Sequence, residues 1–383
     1  MTSNTNPVVS VIVPARNEES CVSLCLDSLV MQRGIDFEII VVDDASSDRT
    51  AEIAQSFVTE NGKAAFQGRP RVIVISAPPL PDNWTGKNNA MSAGAKIAKG
   101  KWLLFTDADT VHKPGSLARA VAEAEQHGAA LLSYSPEQEV RGFWEKAVMP
   151  VIFAELAATY PPNKVNDPAS PIAAANGQYL LISREAYDAV GGHTKIASDL
   201  LEDVAMARLV KFSGHRIFFR YGGDAVRTRM YRSWGQMKEG WTKNLAVLFK
   251  RPRALAFIRA SEFVLIFGNL IGAIAALLTN RLEVASVTFL LTFVVAASAW
   301  TRIRRAHFSF AENLLALGGL AMFAYFLVRS AALHQKHAVS WKGRQYGVAA
   351  AKAIISESAN TNSANAAERN QLSQHRRATT PQI

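Results

Sequence analysis

Two aspartates, Asp107 and Asp109, follow directly after the apolar run 102–105 and could together bind a cation. That run predicts a buried strand, and a strand directs residues i and i+2 to the same side. We therefore expect both carboxylates to face one point where the strand ends. Two hard oxygen ligands at one point suit a hard divalent cation that keeps open positions for substrate phosphates. A helix cap or a solvated turn is the alternative interpretation, so the meaning of the pair depends on the polar groups around it.

The elements that would position these aspartates alternate between strand and helix. Apolar runs of strand length are separated by segments with helical spacing, as at Val22, Leu26 and Leu29. This alternation predicts an α/β fold with a parallel sheet, in which ligands bind beyond the carboxyl ends of the strands. The predicted strands cover residues 8–13, 37–42, 72–75 and 101–106, and helices are expected near residues 22–30, 50–57 and 90–98.

Polar clusters gather where three of these strands end. Residues 16–18 (Arg, Asn, Glu) follow the first strand, Asp43 and Asp44 close the second, and the pair at 107 and 109 follows the fourth. Like charges gathered at one edge of a sheet cost free energy unless a cation or a ligand is bound there. The three clusters therefore predict a ligand site at this edge.

A lysine between the third and fourth strands could reach a phosphate. Lys87 follows Gly86, which permits a tight backbone turn, and its flexible side chain carries a point charge. A solvated surface lysine is the alternative. The chain has neither the Gly-x-x-x-x-Gly-Lys-Ser/Thr pattern of a P-loop nor the Gly-x-Gly-x-x-Gly pattern of a dinucleotide-binding enzyme after its first strand.

The composition changes after residue 250. Of the 383 residues, 49% are hydrophobic, and three apolar segments, 263–279, 284–300 and 310–328, are each near the minimum length for a membrane span. Buried core helices are the alternative. Basic residues precede the first segment and separate the second from the third, as membrane-flanking cytoplasmic loops do.

Composition also excludes other classes and compartments. The formal net charge is +10, but no basic face with aromatic or groove-reading elements accompanies it, so we expect no nucleic-acid partner. The only cysteines, Cys21 and Cys25, lack further zinc ligands and are interpreted as small core residues in a reducing compartment. Residues 1–7 lack an apolar run, so we expect no signal peptide and a catalytic part that faces the cytoplasm.

Taken together, the polar motifs resemble those of family 2 glycosyltransferases with the GT-A fold. Within the family they are similar to a membrane-bound, lipid-acting subgroup that includes carotenoid and hopene-associated glycosyltransferases. The resemblance covers residues 8–350 and is carried by segments 11–19, 41–48, 105–109, 176–177, 191–193, 201–203, 229–231, 239–243 and 341–346.

The resemblance implies a nucleotide-diphospho-sugar donor, a UDP-sugar in our expectation, and inversion at the anomeric carbon. Asp107 and Asp109 would hold Mn²⁺ or Mg²⁺ against the diphosphate, and Asp203, beside Glu202, would be the general base for a lipid or isoprenoid acceptor. The implied donor-binding residues are Pro14, Arg16, Asn17, Glu18, Asp43, Asp44, Lys87 and Asp107, and the implied acceptor-side residues are Asn176, Gly177, Trp234 and Trp241.

Departures from the family leave alternatives open. Processive members carry Gln-x-x-Arg-Trp, and the region before Trp234 lacks that glutamine, which disfavours a polysaccharide synthase. Interfacial anchoring is the alternative role for Trp234 and Trp241. A non-enzymatic membrane scaffold with a decayed nucleotide pocket is disfavoured because Asp107, Asp109 and the Glu202–Asp203 pair are intact.

We expect a catalytic domain over residues 1–250, transmembrane or interfacial helices over 251–335, a short segment with Trp-Lys-Gly-Arg-Gln-Tyr over 336–356 and a disordered tail over 357–383. The helix-like segment 142–160 could lie on the membrane and shape a lipid entrance, or it could be buried. Three spans would place the C-terminus outside, yet the basic residues after Val328 favour the inside. A re-entrant or interfacial segment, or a further span, would resolve this conflict.

Overall fold

A seven-stranded sheet forms the centre of the computed structural model, which describes residues 6–58, 70–336, 338–341 and 343–346. Its strand order is β3-β2-β1-β4-β8-β6-β9, and smaller sheets join β5-β10-β7 and β11-β12. The strands are β1 (Val9–Ala15), β2 (Phe37–Asp43), β3 (Arg71–Ser76), β4 (Trp102–Phe105), β5 (Thr110–His112), β6 (Leu131–Ser135), β7 (Glu137–Gln138), β8 (Leu180–Ser183), β9 (Ile217–Tyr221), β10 (Val226–Thr228), β11 (Val339–Trp341) and β12 (Arg344–Tyr346).

Helices cover both faces of this sheet and then continue as a C-terminal bundle. A 3-10 turn, Arg304–Ala306, joins α12 to the segment before α13. The helices are α1 (Val22–Val30), α2 (Thr50–Gln55), α3 (Gly86–Ile97), α4 (Ser116–Gln126), α5 (Phe143–Thr159), α6 (Pro162–Val165), α7 (Arg184–Ala189), α8 (Gly192–Lys195), α9 (Glu202–Phe212), α10 (Trp234–Leu248), α11 (Pro252–Leu278), α12 (Leu282–Ile303) and α13 (Phe310–Gln335).

The sheet is mixed, whereas the sequence predicted a parallel one. Strands β1 to β4 pair in parallel, but β8 runs antiparallel between β4 and β6. Its first residue, Leu180, pairs with the last residue of β4, Phe105. Because β8 runs in the opposite direction, the residues before it arrive at the carboxyl end of β4. The reversed strand therefore adds a segment to the edge where ligands bind.

Alternation along the buried strands divides the core between the two faces of the sheet. Val11 and Val13 of β1 pack in the cluster that includes α1 and α4, whereas Ile12 packs in the cluster that includes α3. Both clusters consist mainly of buried aliphatic side chains, so β1 and β2 are fixed from both sides. The loops at their carboxyl ends thus start from rigid positions.

A third apolar cluster lies outside the sheet and joins α5 and α10 to α11, α12 and α13. Three of these helices, α11, α12 and α13, are long and apolar enough to cross a membrane by length and composition. They coincide with the three apolar segments that the sequence singled out. Cys21 and Cys25 are both free and buried, and the tail 357–383 lies outside the described residues.

Four charged side chains connect α5 to the first two of these helices. Glu155 of α5 lies 2.9 Å from Arg259 of α11 and 3.0 Å from Arg302 of α12. Glu262 of α11 lies 3.0 Å from Arg259 and 2.7 Å from Arg302. None of the four side chains is more than 17% exposed. We call them the ion-pair quartet.

Candidate active site

A cavity of ≈ 860 Å³ opens at the carboxyl ends of β1, β2 and β4. Loops after these strands line one end, and α5, α10 and the turn before α13 line the other. The sequence-predicted residues that line it are Pro14, Arg16, Asn17, Glu18, Asp44, Lys87, Asp107, Asp109, Asn176, Gly177, Glu202, Asp203 and Trp241. Asp43 and Trp234 are not among its lining residues.

The loops after β1 and β2 are bonded into one rim of the cavity. The Arg16 guanidinium donates to the backbone carbonyls of Asp44 (2.5 Å) and Ala45 (3.2 Å). The Asn17 side-chain oxygen accepts from the Ser47 amide at 2.9 Å. Asn17 and Ala45 both have positive φ, 52° and 55°, a region that favours glycine or asparagine. The rim is therefore held by specific contacts between two distant segments.

Asp107 and Asp109 lie in a turn between β4 and β5. Strand β4 ends at Phe105, so the strand alternation expected from the sequence does not position the pair. Instead the Thr110 hydroxyl donates to the Asp107 carbonyl at 2.7 Å and closes the turn. Ala108 between them is buried, and both carboxylates line the cavity.

Lys87 lies in the first turn of α3 and bridges two carboxylates. Its ammonium nitrogen is 2.6 Å from an oxygen of Asp107 and 2.6 Å from an oxygen of Glu202. Burial alone would lower the pKa of Lys87, but the two negative charges outweigh burial and hold that pKa well above its usual value. Lys87 is thus a fixed positive charge inside the cavity.

Glu202 and Asp203 form the first turn of α9, where the helix dipole favours negative charge. The Asp203 carboxylate accepts from the Gly177 amide at 2.9 Å and from the Val204 amide at 2.7 Å. Burial and the charge of Glu202 nevertheless raise the pKa of Asp203 to about 6. Burial would also raise the pKa of Glu202, but Lys87 and Lys243 lower it below its usual value. The two neighbouring carboxylates therefore differ in basicity.

The carboxylates of the β4–β5 turn fit a divalent cation that a substrate helps to bind. Among the described residues, no group of three or more His, Cys, Asp or Glu side chains could hold a metal ion. Asp107 and Asp109 offer hard oxygen donors on one wall of the cavity. Mg²⁺-type sites commonly use one or two carboxylates together with substrate phosphates and water.

The segment before β8 brings backbone close to the acidic cluster. A Cβ atom added to Gly177 would lie 3.0 Å from a Glu202 carboxylate oxygen and 3.3 Å from the Lys87 ammonium. The side-chain oxygen of Asn176 accepts from the Gln178 amide at 2.9 Å and fixes this bend. Glycine at this position thus leaves room for the bridge between Lys87 and Glu202.

The two tryptophans of α10 occupy different surroundings. Trp241 lines the cavity, is 2% exposed, and its indole N–H has no hydrogen-bond partner among the described residues. Trp234 packs instead on Trp144, with ring centroids 5.0 Å apart, and on Phe326 at 5.3 Å. Asp43 accepts from the Ser46 amide at 3.3 Å and shapes the loop after β2.

Several residues that line the cavity were not predicted as site residues from the sequence. Phe153, Leu156 and Leu248 form an apolar part of the cavity together with Phe308 from the segment before α13. Arg344 reaches the opposite end from the β11–β12 hairpin. The only sequence signal for Arg344 was the resemblance of segment 341–346 to membrane-bound glycosyltransferases.

Comparison with known proteins places the strand-end motifs in a family. Residues 10–191 match the model of Glycosyl transferase family 2. The 4,4'-diaponeurosporenoate glycosyltransferase of Staphylococcus aureus strain MRSA252 is 26% identical over 357 residues, which cover 89% of this chain and 88% of that protein. The enzyme of the same name from strain USA300 is 26% identical over 354 residues with the same coverage.

Solved structures were matched as well. The mannosyltransferase PcManGT from Pyrobaculum calidifontis, in complex with GDP-Man and Mn²⁺, is 18% identical with a TM-score of 0.48, covering 86% of this chain and 87% of that one. TarS 1-349 of S. aureus in complex with UDP-GlcNAc is 14% identical with a TM-score of 0.40, covering 89% and 97%. The family match ends before Glu202 and Asp203, so any role for these two depends on the geometry above.

Proposed function

We propose that this chain, which is a family 2 glycosyltransferase by its domain at residues 10–191, transfers a single sugar from a nucleotide-diphospho-sugar to a lipid or isoprenoid acceptor. The family match confirms the resemblance expected from the sequence, and the α/β sheet with its C-terminal apolar helices confirms the expected fold class. The observation that carries the proposal is one cavity with an acidic, lysine-bridged end and an apolar end beside helices that could cross a membrane.

The donor binds at the end formed by the strand loops. Arg16, Asn17, Glu18 and Asp44 border the nucleotide, and Lys87 contacts the diphosphate. We take UDP as the nucleotide. Lys87 supports this placement because it is the positive charge nearest to Asp107 and can neutralise a phosphate, as point charges do elsewhere. Pro14 and Asp43 lie at the ends of β1 and β2, where the loops that carry these side chains begin.

Asp107 and Asp109 would hold Mn²⁺ or Mg²⁺ against the diphosphate. A divalent cation supplies positive charge that stabilises the leaving nucleoside diphosphate. The ammonium group of Lys87 adds a positive charge of the protein itself beside the expected position of the diphosphate. Burial raises the pKa of Asp107 above its usual value, and the ion pair with Lys87 opposes that rise by favouring the ionised carboxylate.

Asp203 accepts the proton from the acceptor. Two backbone amides orient its carboxylate, and a pKa near 6 leaves it ionised and moderately basic at neutral pH. Glu202 stays paired with Lys87 and is less basic, so it serves by charge rather than by proton transfer. A single base opposite the leaving group gives displacement with inversion. An acceptor that reacts through a carboxylate is already ionised, so it does not depend on Asp203 to remove a proton.

The acceptor enters along the apolar end of the cavity. Phe153 and Leu156 of α5, Leu248 of α10 and Phe308 offer contacts for a hydrocarbon chain. Asn176, Gly177 and Trp241 also line the cavity, and the Gly177 amide donates to the Asp203 carboxylate, beside which the reacting group of the acceptor would lie. The name of the staphylococcal relatives denotes 4,4'-diaponeurosporenoate, a carboxylate, as the compound that is glycosylated. The enzyme works at the cytoplasmic membrane with its cavity facing the cytoplasm.

Labelled nucleotide sugars test the proposal directly. Membranes that contain the protein are incubated in turn with UDP-, GDP- and dTDP-sugars, and extracted lipids are identified by mass spectrometry. We expect a lipid whose mass rises by one sugar, with membranes of an Asp203→Asn variant as the blank. A ladder of products would indicate a polysaccharide synthase instead. No labelled lipid from any donor would refute lipid glycosylation.

A further inference from the structure

The β11–β12 hairpin places an arginine at the donor end of the cavity. Arg344 follows Gly343, whose φ of 77° permits the tight turn between the strands. Its guanidinium makes two contacts with the Asp44 carboxylate, one of them 3.1 Å long from Nη2 to Oδ1. The two residues are 300 positions apart in the chain. A segment beyond all the apolar helices therefore reaches the loop after β2.

The first residue of α3 makes room for this pair. A Cβ atom added to Gly86 would collide with both the Arg344 guanidinium and the Asp44 carboxylate. The pair thus lies against the N-terminal turn of α3, next to Lys87. Asp44 is 10% exposed and Arg344 is 22% exposed in their side chains, so water screens the contact only partly.

We propose that Arg344 is a positioning residue for the donor, which it serves by holding the Asp44 carboxylate at the nucleotide end. The proposal rests on the donor site described above. A carboxylate can accept hydrogen bonds from the hydroxyl and N–H groups of a nucleoside, but near a diphosphate it would also repel the ligand. Arg344 neutralises this charge and fixes its direction. The donor site is therefore complete only when the C-terminal hairpin is in place.

Donor affinity tests this role. The wild type is first titrated with UDP, GDP and dTDP. The nucleotide that binds most tightly is then used to compare Arg344→Ala, Arg344→Lys and Asp44→Asn with the wild type. Lys336→Ala, which removes an exposed cation near the hairpin, is the control. We expect Arg344→Ala to weaken binding and raise the donor KM by about tenfold or more while kcat changes by less than about threefold. Arg344→Lys should recover part of the loss.

Coupling between the two residues separates positioning from general loss of structure. The Asp44→Asn/Arg344→Ala double variant should bind the nucleotide more tightly than the sum of the single losses predicts. An active wild type whose donor KM and nucleotide affinity are unchanged by Arg344→Ala would overturn this role alone. A wild type that binds none of the three nucleotides would overturn the proposed function and this role with it.

A second, independent observation concerns α13. Half of its most apolar window is buried, compared with 17% for α11 and for α12. Gly319 packs directly on the backbone of Ala147 in α5. The Ser330 hydroxyl donates to the Thr242 carbonyl at 2.6 Å and accepts from the Ala246 amide at 2.9 Å. This helix thus lies along α5 and α10.

Both ends of α13 meet residues of the cavity. Before its start, the His307 ring stacks on Tyr221 of β9 with centroids 4.1 Å apart. Near its end, the His334 ring lies 2.8 Å from the carbonyl of Lys243, which lines the cavity. A helix of 26 residues spans roughly 39 Å, enough to cross a bilayer. It cannot cross while both of its ends contact a domain that lies on one side.

We infer that α11 and α12 alone enter the bilayer and that α13 lies on the same side as the cavity. Its outward apolar side chains, such as Phe310 and Leu314, then face the lipid surface. Two crossings return the chain to its starting side. This explains why basic residues follow α13, which conflicted with three spans.

Cysteine labelling in intact cells tests on which side of the membrane each segment lies. Single cysteines replace Asn280, between α11 and α12, Lys336, after α13, and Lys96, an exposed residue of α3, in a Cys21→Ala/Cys25→Ala background. A membrane-impermeant maleimide should label the 280 variant from outside, and the 336 and 96 variants only after permeabilisation. Lys336 and Lys96 on opposite sides would overturn the inference. Retained transferase activity or a native melting temperature identifies folded variants.

Discussion

The ammonium nitrogen of Lys87 lies 2.6 Å from a carboxylate oxygen of Asp107, the residue that would also hold the cation. The lysine comes from the first turn of α3 and the aspartate from the turn after β4. The charge that would meet the donor's diphosphate is therefore fixed before the donor arrives. Preorganised charge of this kind stabilises developing negative charge without reorganisation.

Lys87→Met should weaken nucleoside diphosphate binding by about 10- to 100-fold, because a charge-assisted contact to phosphate is lost and Asp107 and Glu202 lose their shared partner. Isothermal titration with UDP measures the change. Lys96→Met on the exposed side of the same helix is the matched control and should bind UDP as the wild type does. Equal affinities in both variants would contradict the role of Lys87.

Asp109→Ala should abolish the dependence of UDP affinity on Mn²⁺, because one of two hard oxygen donors is removed from the turn. Titrations with and without Mn²⁺ give this dependence. Asp27→Ala, an exposed aspartate of α1, controls for loss of charge in general. If Mn²⁺ still strengthens UDP binding to Asp109→Ala as it does in the wild type, Asp109 is not a metal ligand.

Asp203→Asn should keep UDP affinity within about twofold and lower kcat by about 10²- to 10⁴-fold with a hydroxyl acceptor. The amide has nearly the same shape and cannot accept the proton. Steady-state kinetics and UDP titration on one preparation separate the two effects. Full turnover of Asp203→Asn with a neutral hydroxyl acceptor would rule out the base assignment.

The rate with a hydroxyl acceptor should rise with pH through about 6, the raised pKa of Asp203, and level off above it. Only the ionised form accepts a proton, and its share falls to about a tenth one pH unit below the pKa. Glu202→Gln removes a charge that raises this pKa, so its inflection should move to lower pH. The pH dependence of kcat/KM for both proteins checks this. An inflection that stays in place or moves upward would contradict the coupling.

Gly319→Ala should lower the free energy of unfolding by about 1 to 3 kcal/mol, because its added methyl group meets the backbone of Ala147 in a tightly packed contact. Its neighbour Gly318 has open space around it, and Gly318→Ala should stabilise the helix slightly. Melting temperatures of the two variants in detergent should therefore shift in opposite directions. A parallel shift would mean that α13 is not held against α5 as described.

The sequence predicted the first strands well because β1 and β2 are mostly apolar and are buried on both faces. It did not identify β8, because no local pattern indicates that a strand runs antiparallel between two distant partners. The strand-end location of Asp107 and Asp109 was also predicted, although a turn rather than strand alternation positions them.

The sequence did not show which of two nearby side chains lines the cavity. Asp43 ends β2 and bonds to its own loop, whereas the next residue, Asp44, lines the cavity. Trp234 and Trp241 lie seven residues apart on α10, about 10 Å along its axis, so only one reaches the cavity. The contact of Arg344 with Asp44 joins positions 300 residues apart, and no periodicity encodes it.

Glu155, one of the four charges of the ion-pair quartet, lies on α5 between cavity residues and is paired with arginines of α11 and α12, the two helices that we infer to enter the bilayer. Separating partners that are so poorly hydrated is costly. The ion pairs therefore fix the distance between the catalytic residues and the part of α11 and α12 that lies in the hydrocarbon. An acceptor that stays embedded in the bilayer must therefore reach Asp203 along the apolar end of the cavity.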